Sequence, residues 1–81
     1  MLKLETKAKK KENLRYLELL GKRIRDLRKE RNMTQKEMAL RLGTNYIQIG
    51  RIERGQANST IIMLKKVGDI LEVEISELIK I

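Results

Sequence analysis

Neither histidine nor cysteine occurs among the 81 residues. Disulfides and thiolate metal sites are thereby excluded, and the commonest general base and metal ligand is missing. The acidic residues mostly stand singly along helical stretches and form no nucleophile-base set, so neither enzymatic turnover nor a metal or other cofactor is expected. What the side chains offer is cationic hydrogen-bond donation, with 19 Lys and Arg against 11 Asp and Glu and a net charge of +8. The excess is uneven: residues 1–31 hold 12 basic and 5 acidic side chains, residues 32–81 hold 7 and 6. Such a surplus suits a polyanion, most simply nucleic acid, because neutralising phosphates releases condensed counterions. Taken alone, it describes a solvated basic tail equally well.

The elements that must position these cations follow from the apolar pattern. A chain this short buries only about 60–65% of the surface its unfolded form exposes, which allows one core and one domain. Two Tyr are the only aromatics and there is no Pro. The interior must therefore be built from Leu, Ile, Met, Val and Ala, which suits interdigitating helices, and no sustained apolar/polar alternation supports strands. The reading is an all-α domain over residues 13–81 preceded by a basic, flexible arm over residues 1–12, in which Lys7, Lys9, Lys10 and Lys11 cluster and the apolar content is too small to pack. No run has the length of a secretory signal or a membrane span, so a cytoplasmic location is expected.

Five helices are predicted. Leu14, Leu17, Leu20, Ile24 and Leu27 recur at steps of three and four, giving a helix from Asn13, a candidate N-cap, to about Arg31. Gly21 leaves two readings of it: a continuous helix, or a true start at Gly21 after a shorter helical turn. Thr34-x-x-Glu37 forms a capping box for a second helix with Met38, Ala39 and Leu42 inward, and Gly43 supplies the left-handed turn that ends it. Asn45 caps a third helix carrying Ile49 and Ile52, closed by Gly55. Thr60 caps a fourth with Ile61, Leu64, Val67 and Leu71 on one stripe, and Glu74 a short fifth with Ile75 and Leu78 inward. Two short helices thus meet at a very tight turn over residues 34–55. Packing Ala39 against Ile49 and Ile52 leaves Tyr46, Ile47, Gln48, Gly50, Arg51 and Arg54 on other faces.

Met33-Thr34-Gln35-Lys36-Glu37-Met38-Ala39, Leu42-Gly43 and Ile49-Gly50-Arg51-Ile52-Glu53-Arg54-Gly55 resemble the helix-turn-helix of the phage-repressor and Cro family, also called the XRE family. The likeness extends over about residues 20–79, through Asn58, the Thr60-capped helix and Val73-x-Ile75-x-Glu77-Leu78. It implies a five-helix, lambda-repressor-like fold. It also implies a sequence-specific regulator that lays residues 45–54 in the major groove of double-stranded operator DNA.

Residue by residue, the resemblance implies base contacts from Tyr46, Ile47 and Arg51, with Gln48 nearby, and phosphate contacts from Thr34, Gln35, Arg54 and Asn58. Arg51 is best suited to guanine, to which a guanidinium bonds bidentately. Ile47 suits a thymine methyl, although a marginal core role is the alternative, and Tyr46 either meets the duplex or covers the helix start. The family pattern further implies a buried structural pair between Arg28 and Glu53, with Gln35 bracing the recognition helix. One departure is the loop after that helix, where Gln56, Ala57 and Ser59 replace the Arg, Lys and Pro frequent in relatives. The arm is a candidate to compensate for that shortage of loop cations, holding phosphates through Lys9, Lys10 and Lys11.

Ile62, Met63, Ile70, Ile79 and Ile81 lie off the inward stripes and form a candidate surface for a homodimer, with Leu14 and Leu17 a second one. A stand-alone repressor that occupies promoter DNA is the leading reading. A restriction-modification controller protein touching RNA polymerase, or an antitoxin that binds a toxin protein and represses its own promoter, are the alternatives.

Overall fold

The computed structural model describes residues 6–81. Five helices follow in order, α1 Lys7–Glu30, α2 Gln35–Leu42, α3 Tyr46–Glu53, α4 Ile61–Leu71 and α5 Ile75–Leu78, and no strand occurs among the described residues. This is the all-α architecture that the apolar periodicity predicts.

The first helix departs from expectation at its start. It begins at Lys7, about two turns before Asn13, because Thr6 is the N-cap, its Oγ1 accepting from the Lys9 amide at 3.1 Å. From Lys7 to Glu12 the residues are Lys, Ala and Glu, good helix formers with no Gly to interrupt them, and extending an existing helix needs no second nucleus. Residues 7–12 are therefore helical and Asn13 is an interior helical position, while residues 1–5 of the expected arm lie outside the described residues.

Gly21 does not break α1. A Cβ at that position would stand 2.4 Å from the Ile52 carbonyl oxygen and 2.5 Å from that of Glu53, so this is the point where the backbones of α1 and α3 touch. Only glycine permits that approach.

Local capping fixes the starts of α2, α3 and α4. The Glu37 amide donates to Thr34 Oγ1 at 3.0 Å, the Gln48 amide to Asn45 Oδ1 at 3.0 Å and the Met63 amide to Thr60 Oγ1 at 3.1 Å. Gly43 ends α2 at φ +74°, a conformation that costs most side chains 1–2 kcal/mol or so and glycine nothing. Glu74 occupies the N-cap position of α5, but its side chain makes no capping bond. The C-terminal segment is held from outside instead: Tyr16 Oη donates to the Ile79 carbonyl at 2.6 Å and Arg23 Nε to that of Glu77 at 3.0 Å.

The core joins Leu20, Ile24 and Leu27 of α1 to Met38, Ala39 and Leu42 of α2, Ile49 of α3, Leu64, Val67 and Leu71 of α4 and Leu78 of α5. Three predicted core positions fall outside it, one of them Leu17, which is half-buried on α1. Leu14 lies on the part of α1 that outruns the body and is 54% exposed, and Ile61, at the first helical position of α4, is 63% exposed. Met63 packs against the core margin in that turn.

Candidate nucleic-acid interface

The α2–α3 unit is set by a shared core to which α2 gives Ala39 and α3 gives Ile49, both almost wholly buried. A third structural constraint comes from a buried ion pair. Arg28 Nε donates to Glu53 Oε2 at 2.6 Å, its Nη2 to Glu53 Oε1 at 3.0 Å and its Nη1 to the Met33 carbonyl at 2.8 Å. Gln35 Nε2 adds a bond to Glu53 Oε1 at 3.0 Å. The carboxylate is thus satisfied from α1 and α2 at once, and the last turn of α3 is fixed against both. Hydrogen bonding to Glu53 raises the pKa of Arg28 above the ordinary guanidinium value, against the opposing effect of burial.

With Ile49 and Glu53 turned inward, the other faces of α3 are open. Tyr46 and Ile47 are 49% and 59% exposed. Ile47 is accordingly a surface residue and not a marginal member of the core. Gln48 is half-buried, and Arg51 and Arg54 are exposed. Gly50 departs from the expected open face, for it is buried. A Cβ there would meet Arg54 Nη1 at 2.9 Å. A helix-interior glycine costs about 1 kcal/mol relative to Ala, and here the space it leaves seats the Arg54 guanidinium.

Both exposed arginines are held by the loop that follows. Arg51 Nη2 donates to the Gln56 carbonyl at 3.2 Å, and Arg54 Nε donates to Gln56 Oε1 at 3.2 Å. Neither role of Gln56 is visible in the sequence, where it registers only as a missing cation. Sequence reasoning misses two more contributors. Lys36 Nζ lies 5.5 Å from the centre of the Tyr46 ring, a cation-π contact worth about 0.5–1 kcal/mol at an exposed site. Arg25 shares a polar recess with Arg28, Gln35, Gly50, Glu53 and Arg54. Its spacing of three from Arg28 is the one signal of it in the sequence.

The Thr34 hydroxyl is committed to α2, accepting from the Glu37 amide and donating to Glu37 Oε1 at 3.2 Å. The Gln35 side chain is committed to Glu53. What this helix start offers a ligand is therefore the backbone N–H groups of its first turn. Asn58 borders three grooves, one shared with Thr44, Gln48 and Thr60, one with Lys10, Asn13, Leu14 and Leu17, and one with Asn13, Tyr16 and Leu17. Lys9, Lys10 and Lys11 stand on the first turns of α1 and not on an unstructured arm.

The candidate dimer residues divide. Ile62 and Ile81 are exposed, whereas Met63, Ile70 and Ile79 pack against the core margin and present little free surface. Exposed Ile61 joins Ile62, Val73 and Ile75 in an apolar groove between α4 and α5, rimmed by Lys65, Asp69 and Glu74. Among the described residues no group of acidic side chains is placed to hold a metal ion, and no helix is long and apolar enough to cross a membrane.

Comparison with known proteins supplies the family context. The helix-turn-helix family profile matches residues 24–78. The chain is 34% identical over 61 residues to the HTH-type transcriptional regulator y4dJ of Sinorhizobium fredii, covering 75% of this chain and 79% of that protein. It is also 34% identical to the HTH-type transcriptional regulator YazB of Bacillus subtilis, with 75% and 88% of the two chains covered. Among solved structures, the restriction-modification controller protein C.AhdI of Aeromonas hydrophila superposes with a TM-score of 0.76 at 31% identity, over 80% of this chain and 94% of that one. The clp gene regulator ClgR of Corynebacterium glutamicum shares the fold at 22% identity, with a TM-score of 0.75 over 78% of this chain and 67% of that one.

Proposed function

Because this chain belongs to the helix-turn-helix family of transcriptional regulators, we propose that it is a cytoplasmic repressor that reads operator DNA with α3 in the major groove. The observation that carries this reading is the division of α3, which buries Ile49 and Glu53 in the body while Tyr46, Ile47 and Arg51 face outward. In this reading Arg51 bonds to a guanine edge, Ile47 meets a thymine methyl, and Tyr46 and Gln48 complete the base contacts. Arg54, Asn58 and the first-turn amides of α2 hold phosphates and fix the register. The α4–α5 groove pairs two copies, so that two recognition helices meet half-sites about one helical turn apart.

A controller of a restriction-modification system is the second reading, favoured by the likeness to C.AhdI over nearly all of that protein. Both readings need the same duplex contacts. Selection of bound duplexes from a random pool tests them together, with a symmetric consensus expected. Equal competition by selected and scrambled duplexes would overturn both.

A further inference from the structure

The N-terminal part of α1 lies outside the family match, which begins at residue 24. Lys7 is fourteen positions before Gly21, which at 1.5 Å per residue places it about 21 Å along the axis from the crossing with α3. Running back from that crossing at steps of four and three, Gly21, Leu17, Leu14, Lys10 and Lys7 form one stripe, with Lys11 at its edge. Lys9 and Arg15 stand off it. The middle of the stripe lies beside the loop that follows α3: Lys10, Asn13, Leu14 and Leu17 share a groove with Asn58, and Asn58 also borders the groove of Thr44 and Gln48.

Among the described residues this stripe has no partner of opposite charge: no ion pair of Lys7, Lys10 or Lys11 occurs there. Lys7 and Lys11 are four apart, as are Lys11 and Arg15, and the first turn contains no acidic residue to offset the positive end of the helix dipole. A second copy of so basic a helix would add to the repulsion, whereas a duplex backbone supplies the missing counter-charge.

We infer that the first turns of α1 are a rigid helical spur that grips duplex phosphates beyond those reached from α3, through the Lys7, Lys10 and Lys11 stripe and not through Lys9. The inference rests on the DNA-binding reading above and names a further contact surface for it. Because the spur is helical, its contacts depend on which face a lysine occupies, and that separates it from a general attraction of a basic tail.

The test compares two double variants of equal charge in the full chain: Lys7→Gln with Lys10→Gln, on the stripe, and Lys9→Gln with Arg15→Gln, off it. Gln preserves helix propensity, and far-UV circular dichroism verifies that α1 persists in both. Binding to one selected duplex is measured as salt is raised from about 50 to 200 mM. Removing a phosphate contact lowers the salt slope by about 0.9, so wild-type affinity should fall about tenfold further than that of the stripe variant. The off-stripe variant should follow wild type. Equal changes in the two variants, or none in the stripe variant, overturn the spur while leaving recognition by α3 intact. If wild type does not distinguish the selected duplex from a scrambled one, it is the DNA-binding reading that falls.

Discussion

Arg51 and Gln56 are joined in both directions: the Gln56 amide donates to the Arg51 carbonyl at 2.8 Å, and Arg51 Nη2 donates to the Gln56 carbonyl at 3.2 Å. The guanidinium proposed to read a base is therefore folded against the end of its own helix in the free protein. Releasing an exposed bond of this kind costs about 0.5–1.5 kcal/mol, and a bidentate guanine contact is worth about 1–3 kcal/mol of discrimination. The exchange favours the groove only where a guanine is present, and the release cost is subtracted from what that contact gains.

Replacing Arg51 by Ala should accordingly relax preference at one position in each half-site and weaken specific binding by roughly 1–2 kcal/mol, the guanine contact less the cost of releasing the Gln56 carbonyl. Competition between the selected duplex and its single-position variants measures both effects. Losses of equal size on every sequence would remove Arg51 from base reading.

The buried pair predicts a different pattern. Removing Arg28 alone, as Arg28→Ala, leaves the Glu53 carboxylate uncompensated and should cost about 3–5 kcal/mol in urea unfolding. Replacing both, as Arg28→Met with Glu53→Leu, should recover most of that stability. The raised Arg28 pKa works in one direction only. A folded-state value above the unfolded one gives a contribution fully present below the unfolded pKa and lost as pH rises through the folded value. Titration of Arg28 should thus leave stability unchanged throughout the neutral range.

Gly21 reverses the usual sign of a helix substitution. Gly→Ala inside a helix normally stabilises by about 1 kcal/mol. Here the carbon of the added methyl would stand 2.4 and 2.5 Å from two backbone carbonyl oxygens of α3. Since neither oxygen can rotate away as a side chain would, Gly21→Ala should force α1 and α3 apart and lower the melting temperature. A melting temperature equal to or above wild type would show that the crossing yields freely.

How far these features are legible in the sequence depends on their range. Thr34, Asn45 and Thr60 each bond to an amide three residues on, so residue type and spacing contain the whole interaction. Gly43 is equally readable because the turn conformation itself selects glycine. The Arg28–Glu53 pair spans 25 positions and is reached only through resemblance to a family. The Gln56 contacts, the Lys36–Tyr46 stacking and the Gly21 crossing depend on how side chains and helices lie against one another, which periodicity does not encode. The start of α1 is misplaced by the apolar pattern for another reason. Apolar content marks where a helix packs, and Lys7 to Glu12 extend a helix beyond the surface that holds it.

That same distinction between helical and packed decides the dimer prediction. Spacing assigns Ile61 inward, yet it is exposed beside Ile62 at the α4–α5 groove. If this groove joins two copies, a charge placed in it must be desolvated at the contact, at a cost of several kcal/mol. A charge at Met63, on the core margin, would instead disturb folding. Ile61→Asp should therefore shift sedimentation equilibrium towards monomer while far-UV circular dichroism and the melting curve of the monomer remain those of a folded chain. Binding to a full symmetric duplex should weaken far more than binding to a single half-site, because the linkage between the two recognition helices is broken. An unchanged dimer in this variant would assign pairing to a surface other than the α4–α5 groove.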